Sequence, residues 1–358
     1  MVNRSSIRVG VIGCGLVAQV MHLPHLRELD DRFDVVAVSD LAPGSLEFAG
    51  AMFPSARRHS AWEEMLGDVD AVLVLTAGSH APIAIAAAEA GAHVFVEKPM
   101  CFSVEEGEQM IAAARASGVV LMVGYMKRYD PSYEELARTL DTGDVTFARI
   151  TTLESPIEPY ALHHRRPEPS APDPDVLARL VADDEERLRA GLGSDDPFLL
   201  RAYRTVLLDS MVHELNAVRG LLGEPTELRF VDVWGEPDGI TATLAFGDVE
   251  AVFAWIDLPG IARYAQDWSF YGPEKRATLE FPSPLLRNQP TRLVLEDGDS
   301  GGVASRRVER IVSYEEAFKR ELVEFHAAIA EGRAPRTDGE DGLRDVALCR
   351  DIVLAHAA

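Results

Sequence analysis

Cysteine is scarce in this sequence, with three residues in a chain of 358 and no C-x-x-C pair. An odd, widely spaced set (Cys14, Cys101 and Cys349) argues against a disulfide framework or a structural zinc site, and it favours a reducing compartment. Long apolar runs are also missing, and the short polar N-terminus is not typical of a signal peptide. We therefore expect a cytoplasmic protein that does not associate with membranes.

Positive charge is in short supply as well. Lys and Arg number 35 against 58 Asp and Glu, which gives a formal net charge of −23. Such a surface repels nucleic-acid phosphates and anionic lipids, so we expect neither as a partner. Hydrophobic residues make up 47% of the chain, enough for two domains with separate cores, because single cores stop growing at roughly 250–300 residues.

The first part of the chain alternates apolar strand-like segments with helix-like segments. This alternation predicts parallel strands covered on both faces, that is, an α/β fold with a doubly wound sheet whose ligands bind at the carboxyl ends of the strands. The predicted strands are Ile7–Ile12, Val35–Ser39, Ala71–Leu75, His93–Val96 and Val119–Gly124. The predicted helices are Leu16–Leu29, Ala61–Leu66, Pro82–Ala90 and Val104–Ser117.

After about residue 130 the pattern changes to short strands joined by turns, which predicts an α+β domain with a large, mostly antiparallel open sheet. The predicted strands are Phe147–Leu153, Glu227–Trp234, Thr241–Phe246, Glu250–Asp257, Asp267–Tyr271, Ala277–Phe281 and Arg292–Glu296. The predicted helices are Pro131–Leu140, Asp209–Leu222, Tyr314–Glu331 and Gly342–Ala355. We place the domain boundary between residues 128 and 129, giving domains 1–128 and 129–358.

An insertion at about residues 156–201 interrupts the second domain. It begins rich in Pro and His and continues as an acidic helical stretch near Val176–Arg189. Long connections of this kind are usually functional or mobile. Two interpretations stay open: a solvated surface insertion, or a lid over the substrate.

A glycine-rich turn follows the first strand and opens the first helix. Gly13, Gly15 and Ala18 fit the pattern G-x-G-x-x-A, in which the first glycine permits a tight turn, the second lets the backbone approach a pyrophosphate, and the third small residue permits close packing. Asp40 ends the second strand, where an acidic side chain binds ribose hydroxyls and repels a 2′-phosphate. The sequence therefore predicts a dinucleotide-binding Rossmann domain that prefers NAD, with NADP as the alternative.

Three further segments carry a family resemblance: Val94–Pro99 with its Glu-Lys-Pro end, the stretches His80–Pro82 and Ala87–His93 before it, and Gly124–Pro131 after it. Together they resemble the Gfo/Idh/MocA family, which includes glucose–fructose oxidoreductase and inositol dehydrogenase. The resemblance spans nearly the whole chain and is strongest over residues 7–131. It implies that the residues binding the cofactor are Gly13, Gly15, Leu16, Val17, Ala18, Asp40, Thr76, His80, Glu97 and Lys98.

The second catalytic motif of that family is a helix bearing D-x-x-x-H, which Asp209 and His213 match. A spacing of four places both side chains on one helical face. The resemblance implies that Lys98, Asp209 and His213 form the catalytic group of an NAD(P)-dependent oxidoreductase acting on a secondary hydroxyl or ketone of a sugar, cyclic polyol or glycoside. A histidine can accept the hydroxyl proton near neutral pH, and a lysine ammonium can stabilise an alkoxide.

The substrate itself is less well defined by the sequence. Bulkier residues, Met211 among them, stand where the family usually has glycine, and Asn216 stands where it often has an acid. Candidate substrate contacts are Tyr125, Arg128, Tyr160, His163, Arg204 and Asn216. We expect no metal, because neither His22 with His25 nor His163 with His164 completes a ligand pattern. The resemblance also implies a homodimer or homotetramer formed through the C-terminal sheet.

Two other functions stay open. One is a non-catalytic dinucleotide-binding sensor or regulatory protein that has kept the fold. The other is a reductase of a non-sugar carbonyl, since one fold can serve several chemistries.

Overall fold

The computed structural model describes residues 6–167, 170–299 and 301–356, and the chain divides into two compact units. Unit 1 comprises Met1–Tyr125, His164–Asp195 and Glu321–Ala347. Unit 2 comprises Met126–His163, Asp196–Arg320 and Leu348–Ala358. Part of the insertion, including its helix, therefore belongs to unit 1.

Unit 1 is built on a six-stranded parallel sheet in the order β3-β2-β1-β4-β5-β6. The strands are β1 (Ile7–Ile12), β2 (Phe33–Ser39), β3 (Arg57–His59), β4 (Ala71–Val74), β5 (His93–Glu97) and β6 (Leu121–Gly124). The central strands are buried along their length because helices cover both faces. The strand order reverses between β1 and β4, which confirms the predicted doubly wound sheet.

The described parts of the chain form α-helices between and after these strands. They are α1 (Leu23–Glu28), α2 (Pro43–Met52), α3 (Ala81–Glu89), α4 (Val104–Ser117), α5 (Pro131–Thr139), α6 (Glu158–Ala161), α7 (Pro174–Leu192), α8 (Pro197–Arg201), α9 (Val212–Leu222), α10 (Ala317–Glu331) and α11 (Gly339–His356). Short 3₁₀ turns lie at Trp62–Asp68, Met126–Tyr129 and Thr142–Asp144.

Two stretches are wider π-helix, at Ala18–His22 before α1 and at Ala202–Met211 before α9. The first is explained by Pro24, which has no N–H to donate and whose ring would press on the carbonyl four residues before it. The second contains Asp209 and ends two residues before His213, and π-helical turns are frequent at functional sites.

Capping residues fix both ends of α7, the helix of the insertion. At its N-terminus the Asp173 carboxylate accepts hydrogen bonds from the backbone N–H groups of Asp175 (2.9 Å) and Val176 (3.3 Å). At its C-terminus Gly193 adopts φ +71°, the left-handed conformation that ends many helices. On the inner face of α7, Leu188 and Leu192 are buried.

Unit 2 is built on an eight-stranded sheet in the order β14-β13-β12-β11-β7-β10-β9-β8. The strands are β7 (Phe147–Glu154), β8 (Glu227–Trp234), β9 (Gly239–Phe246), β10 (Val249–Asp257), β11 (Ala265–Tyr271), β12 (Lys275–Phe281), β13 (Arg292–Gly298) and β14 (Ser305–Ile311). Every neighbouring pair is antiparallel except β7 with β10. This confirms the predicted large, mostly antiparallel sheet.

One face of the second sheet is buried. Alternate residues of β7 (Ala148, Ile150 and Thr152) are buried, as period-two alternation requires. Met211 and Glu214, at the junction of the π-helical stretch with α9, lie against Ile150 and Thr152. Among the helices in the described parts of the chain, none is both long enough and apolar enough to cross a bilayer.

Candidate functional site

The turn that follows β1 contains two glycines, and its geometry explains the role of each. Gly13 adopts φ +89°, and a Cβ placed there would lie 2.7 Å from the Leu75 carbonyl carbon and the Thr76 nitrogen. Gly15 differs, because a Cβ there would meet no atom within 4 Å. The open side of the turn at Gly15 is therefore available to a pyrophosphate, and the turn fits a dinucleotide. Ala18 is buried where the helix packs on the sheet.

Asp40 lies beside this turn at the end of β2. One carboxylate oxygen accepts a hydrogen bond from Cys14 N (2.6 Å), and the other accepts one from Ala42 N (2.7 Å). These bonds tie the loop after β2 to the loop after β1 and hold a negative charge at the carboxyl edge of the sheet.

His80 connects the loops that follow β4 and β5. Its Nδ1 lies 2.7 Å from the Pro99 carbonyl oxygen, and its Nε2 lies 2.8 Å from the Thr76 carbonyl oxygen. Burial lowers the pKa of His80, although both carbonyls favour the charged ring. The buried imidazole therefore fixes the backbone on which Lys98 is carried.

Glu97 and Lys98 follow β5 at the same edge. Glu97 is buried, and its carboxylate accepts hydrogen bonds from His22 Nε2 (2.7 Å) and Lys98 N (3.1 Å). Burial pushes the pKa of Glu97 upward, but the hydrogen bond and charge of His22, aided by Lys98, outweigh it and lower the pKa. Lys98 is half-buried, and the Lys98–Pro99 peptide is cis.

Behind this loop, His22, Glu97 and Glu321 place their donor atoms within 4.8 Å of one another. The 2.7 Å separation of His22 and Glu97 is shorter than the roughly 3.4 Å between two ligands of a tetrahedral zinc ion. Glu321 is fully buried, and neither of its carboxylate oxygens has a hydrogen-bond partner among the described residues. Burial, together with the Glu97 charge, holds the pKa of Glu321 well above its usual range. The arrangement favours a hydrogen-bonded His22–Glu97 pair beside a neutral Glu321 carboxyl over a metal centre.

This buried acid makes folding stability depend on pH. The unfolded chain ionises Glu321 near the ordinary value of about 4.3, whereas the folded chain ionises it only at higher pH. The stability that the neutral Glu321 carboxyl contributes is therefore complete at low pH. As the pH rises, the free energy of unfolding falls by at most about 1.4 kcal/mol per pH unit. We expect Glu321→Gln to remove this loss, so that the stability of the variant relative to wild type increases as the pH rises.

Thermal unfolding between about pH 5 and pH 9 checks this expectation. Glu324→Gln on the same helix is the matched control, because Arg333 lowers the pKa of Glu324. Neutralising Glu324 therefore removes its ion pair with Arg333 and not a carboxyl whose pKa is raised. A Tm difference between Glu321→Gln and wild type that stays constant across this pH range would contradict the prediction.

In unit 2, the stretch that carries Asp209 and His213 is held to the sheet by two neighbouring residues. Ser210 accepts a hydrogen bond from Trp255 Nε1 (2.9 Å) and donates one to a Glu154 carboxylate oxygen (3.2 Å). Burial raises the pKa of Glu154 despite the nearby Lys127. Asp209 itself is exposed and His213 is half-buried.

Glu214 is the second anchor. It is buried, and it accepts hydrogen bonds from Thr152 Oγ1 (2.7 Å) and from Gln266 Nε2. Lys127 Nζ lies 3.8 Å from the same carboxylate and donates to Gln266. Buried charges are stable only when paired and hydrogen-bonded, and these contacts satisfy one oxygen of Glu214, whereas its Oε2 has no hydrogen-bond partner among the described residues.

The candidate substrate residues occupy different surroundings. Arg128 and Asn216 pair with each other: the guanidinium donates to the Asn216 carbonyl (3.2 Å) and side-chain oxygen (3.3 Å). Tyr160 accepts a hydrogen bond from Tyr264 N at 2.6 Å. The other three differ in burial: Tyr125 of unit 1 is buried, Arg204 is half-buried and His163 is exposed.

The sequence analysis did not single out the polar group beside the motif helix. Its members are Lys127, Thr152, Glu154, Ser210, Glu214, Trp255, Tyr264 and Gln266. The sequence did contain a signal for this group. Glu154 and Gln266 occupy strand positions that the alternation of buried residues places on the inward face, where polar residues are uncommon.

Comparisons with known proteins agree with this architecture. Residues 7–125 match the family model described as "Oxidoreductase family, NAD-binding Rossmann fold", GFO_IDH_MocA. A myo-inositol 2-dehydrogenase of Thermotoga maritima is 25% identical over 350 residues, covering 94% of this chain and 92% of the relative.

Two solved structures share the fold along nearly the whole chain. A 3-ketoreductase from Actinomadura kijaniata in complex with NADP superposes with a TM-score of 0.73 at 22% identity, covering 98% of each chain. A UDP-N-acetylglucosamine 3-dehydrogenase from Acidithiobacillus ferrooxidans gives a TM-score of 0.72 at 22% identity, covering 98% of this chain and 97% of the other. The open glycine turn, the family model matched by residues 7–125 and the matched relatives together show that the chain carries a Gfo/Idh/MocA-type NAD-binding domain and is an NAD(P)-dependent oxidoreductase.

Proposed function

We propose that this protein oxidises a secondary hydroxyl of a sugar or cyclic polyol, or reduces the corresponding ketone, with NAD as the preferred cofactor. In the oxidation, the carbinol carbon loses its hydrogen as hydride and the hydroxyl loses its proton. When bound, the nicotinamide supplies the hydride acceptor. The name of the myo-inositol 2-dehydrogenase relative supports this substrate class.

The observation that carries the proposal is the environment of Asp209 and His213. Their neighbours Ser210 and Glu214 are bonded to the sheet, whereas Asp209 stays exposed and His213 half-buried. An acid–base pair kept outside the core on a firmly anchored helix is suited to proton transfer. We assign the hydroxyl proton to an imidazole nitrogen of His213, with Asp209 orienting the ring or the substrate.

Lys98 is proposed as the third catalytic residue. Its loop is fixed by His80 on one side and Glu97 on the other, so the ammonium is carried on a rigid backbone. A cation placed this way can donate to the substrate oxygen and stabilise negative charge as it develops.

The cofactor preference rests on Asp40. A carboxylate at the end of the second strand binds the ribose hydroxyls of NAD and repels the 2′-phosphate of NADP. Its oxygens are already oriented by Cys14 N and Ala42 N, which keeps the charge in place.

We also propose a cytoplasmic homo-oligomer formed through the sheet of unit 2. Aromatic side chains stay exposed on its strands, with Phe230 53% and Trp234 38% exposed. Apolar side chains left exposed on a sheet are suited to an interface with another subunit. A sedimentation mass equal to one chain would contradict this part of the proposal.

Calorimetric titration with NAD and NADP, followed by a polyol and sugar screen at the reduced-nicotinamide absorbance, tests the function. We expect NAD to bind at least about tenfold more tightly than NADP and a cyclic polyol or sugar to be oxidised. Binding without turnover across the panel would favour a sensor, and turnover of non-sugar ketones alone would favour the other reductase class. Failure of both dinucleotides to bind would overturn the proposal.

A further inference from the structure

The insertion contacts the loop that follows β2. Ser170 Oγ accepts a hydrogen bond from the backbone N–H of Gly44 at 2.8 Å. Gly44 lies in the first turn of α2, four residues beyond Asp40. This end of the insertion is therefore attached beside the carboxylate proposed to bind the ribose.

Helix α7 contacts the loop that follows β4. The Asp184 carboxylate accepts a hydrogen bond from Ser79 N at 3.2 Å. The approach is so close that a Cβ on Gly78 would lie 2.0 Å from an Asp184 oxygen. Gly78 also has φ +90°, so this position needs glycine for its backbone conformation.

The same helix reaches the elements that follow β5. Arg187 Nη1 donates a hydrogen bond at 2.9 Å to Oε1 of Glu106, which lies in the first turn of α4. The other Glu106 oxygen accepts from Ser79 Oγ (3.0 Å) and Phe102 N (2.9 Å). One turn further on, a Cβ on Gly191 would lie 2.2 Å from the Phe102 carbonyl oxygen, so the two backbones are in contact.

These contacts occur in the spatial order of the strands. The insertion contacts the segment after β2 at residue 170, the segment after β4 at residue 184, and the segment after β5 at residues 187–191. In the sheet these strands occur in the order β2-β1-β4-β5. Parallel strands present all their carboxyl ends at one edge. Residues 170–192, which we name the strap, therefore cross that edge over β1 and β4, where the strand order reverses and a dinucleotide binds.

The strap leaves the glycine turn open beneath it. A Cβ on Gly15 would meet no atom within 4 Å, so no part of the described strap fills the space directly beside Gly15. The strap therefore leaves the turn accessible on the side from which a pyrophosphate approaches.

We propose that the strap is a cofactor-retaining element, which holds a bound dinucleotide in the crevice and slows its release. The proposal rests on the dinucleotide binding proposed above. The cofactor can leave only when the anchors at Ser170, Asp184 and Arg187 separate from unit 1, so weakening an anchor increases the dissociation rate constant.

The experiment measures release of NADH from the full-length protein by stopped-flow fluorescence, with excess NAD as the chase. We expect Arg187→Ala to release NADH about tenfold faster than wild type, and Ser170→Ala about threefold faster. Arg189→Ala is the matched control, because Arg189 pairs with Glu185 on the same helix at 3.0 Å and the substitution is identical. The control should release NADH at the wild-type rate.

The outcomes separate the two proposals. Wild-type protein that binds no NADH would refute the dinucleotide proposal itself. Binding with unchanged release in both Arg187→Ala and Ser170→Ala would overturn the strap. Equal acceleration in Arg187→Ala and Arg189→Ala would overturn it too, because a general effect of charge would then explain the change. If Arg187→Ala does not fold, Ser170→Ala decides, since Ser170 is exposed and outside any helix.

Discussion

Replacing His213 with alanine is expected to lower kcat for polyol oxidation by about 10²–10⁴-fold, the usual contribution of a general base. The Kd for NAD should stay nearly unchanged, because His213 is not among the residues proposed to hold the dinucleotide, which include Gly15 and Asp40. Without the imidazole, the hydroxyl proton has to leave to water, and the transition state loses its proton acceptor.

Steady-state kinetics and calorimetric NAD titration of the same preparations check this result. His59→Ala is the control, since His59 is another half-buried histidine, bonded to Glu64 at 3.0 Å in unit 1. His213→Asn keeps a polar side chain and should show the same kinetic loss with wild-type thermal stability. A kcat within about twofold of wild type in both His213 variants would remove His213 from the catalytic group.

The sequence predicted the apolar elements of the fold well and the polar ones poorly. The strands β1, β4 and β5 are buried runs, and apolar periodicity identifies such runs directly. The edge strands β3 and β14 were not predicted, because they consist mostly of Arg, Glu, Ser and His and carry little apolar alternation. Such edges are often charged because a charged edge resists pairing with other chains.

Helix α2 was also not predicted. Its sequence includes two glycines and shows little separation of apolar and polar faces, although Pro43 at its first position is a recognised start signal. The predicted helix near Val176–Arg189 was observed as α7, Pro174–Leu192. The partners of α7 were beyond sequence reasoning, since an acidic helix does not reveal which of its charges face the protein.

The same distinction applies to the candidate site. Gly13 and Asp40 could be placed from local spacing, because each follows a predicted strand and the turn chemistry is local. The groups around Glu214 and Glu321 could not, because each brings together residues far apart in the sequence. Only the register of β7 with β11 shows that Thr152 and Gln266 meet.

Gly13→Ala is expected to destabilise the protein by about 3 kcal/mol or more. At φ +89° an L side chain is strained, which costs about 1–3 kcal/mol. The added Cβ would also lie 2.7 Å from two backbone atoms of Leu75 and Thr76, directly after β4, and backbone atoms cannot move aside cheaply. Urea unfolding measures the loss, and a change below about 1 kcal/mol would show that the turn adapts.

Gly15→Ala separates the roles of the two glycines. No described atom lies within 4 Å of its added Cβ, so folding stability should change by less than about 0.5 kcal/mol. The methyl group instead occupies the side on which a pyrophosphate approaches, and we expect the Kd for NAD to rise at least about tenfold. Loss of stability in one variant and of affinity in the other would show that Gly13 serves the fold and Gly15 the ligand. A wild-type Kd for NAD in Gly15→Ala would mean that the pyrophosphate does not bind at this turn, because a pyrophosphate bound there would collide with the added methyl group.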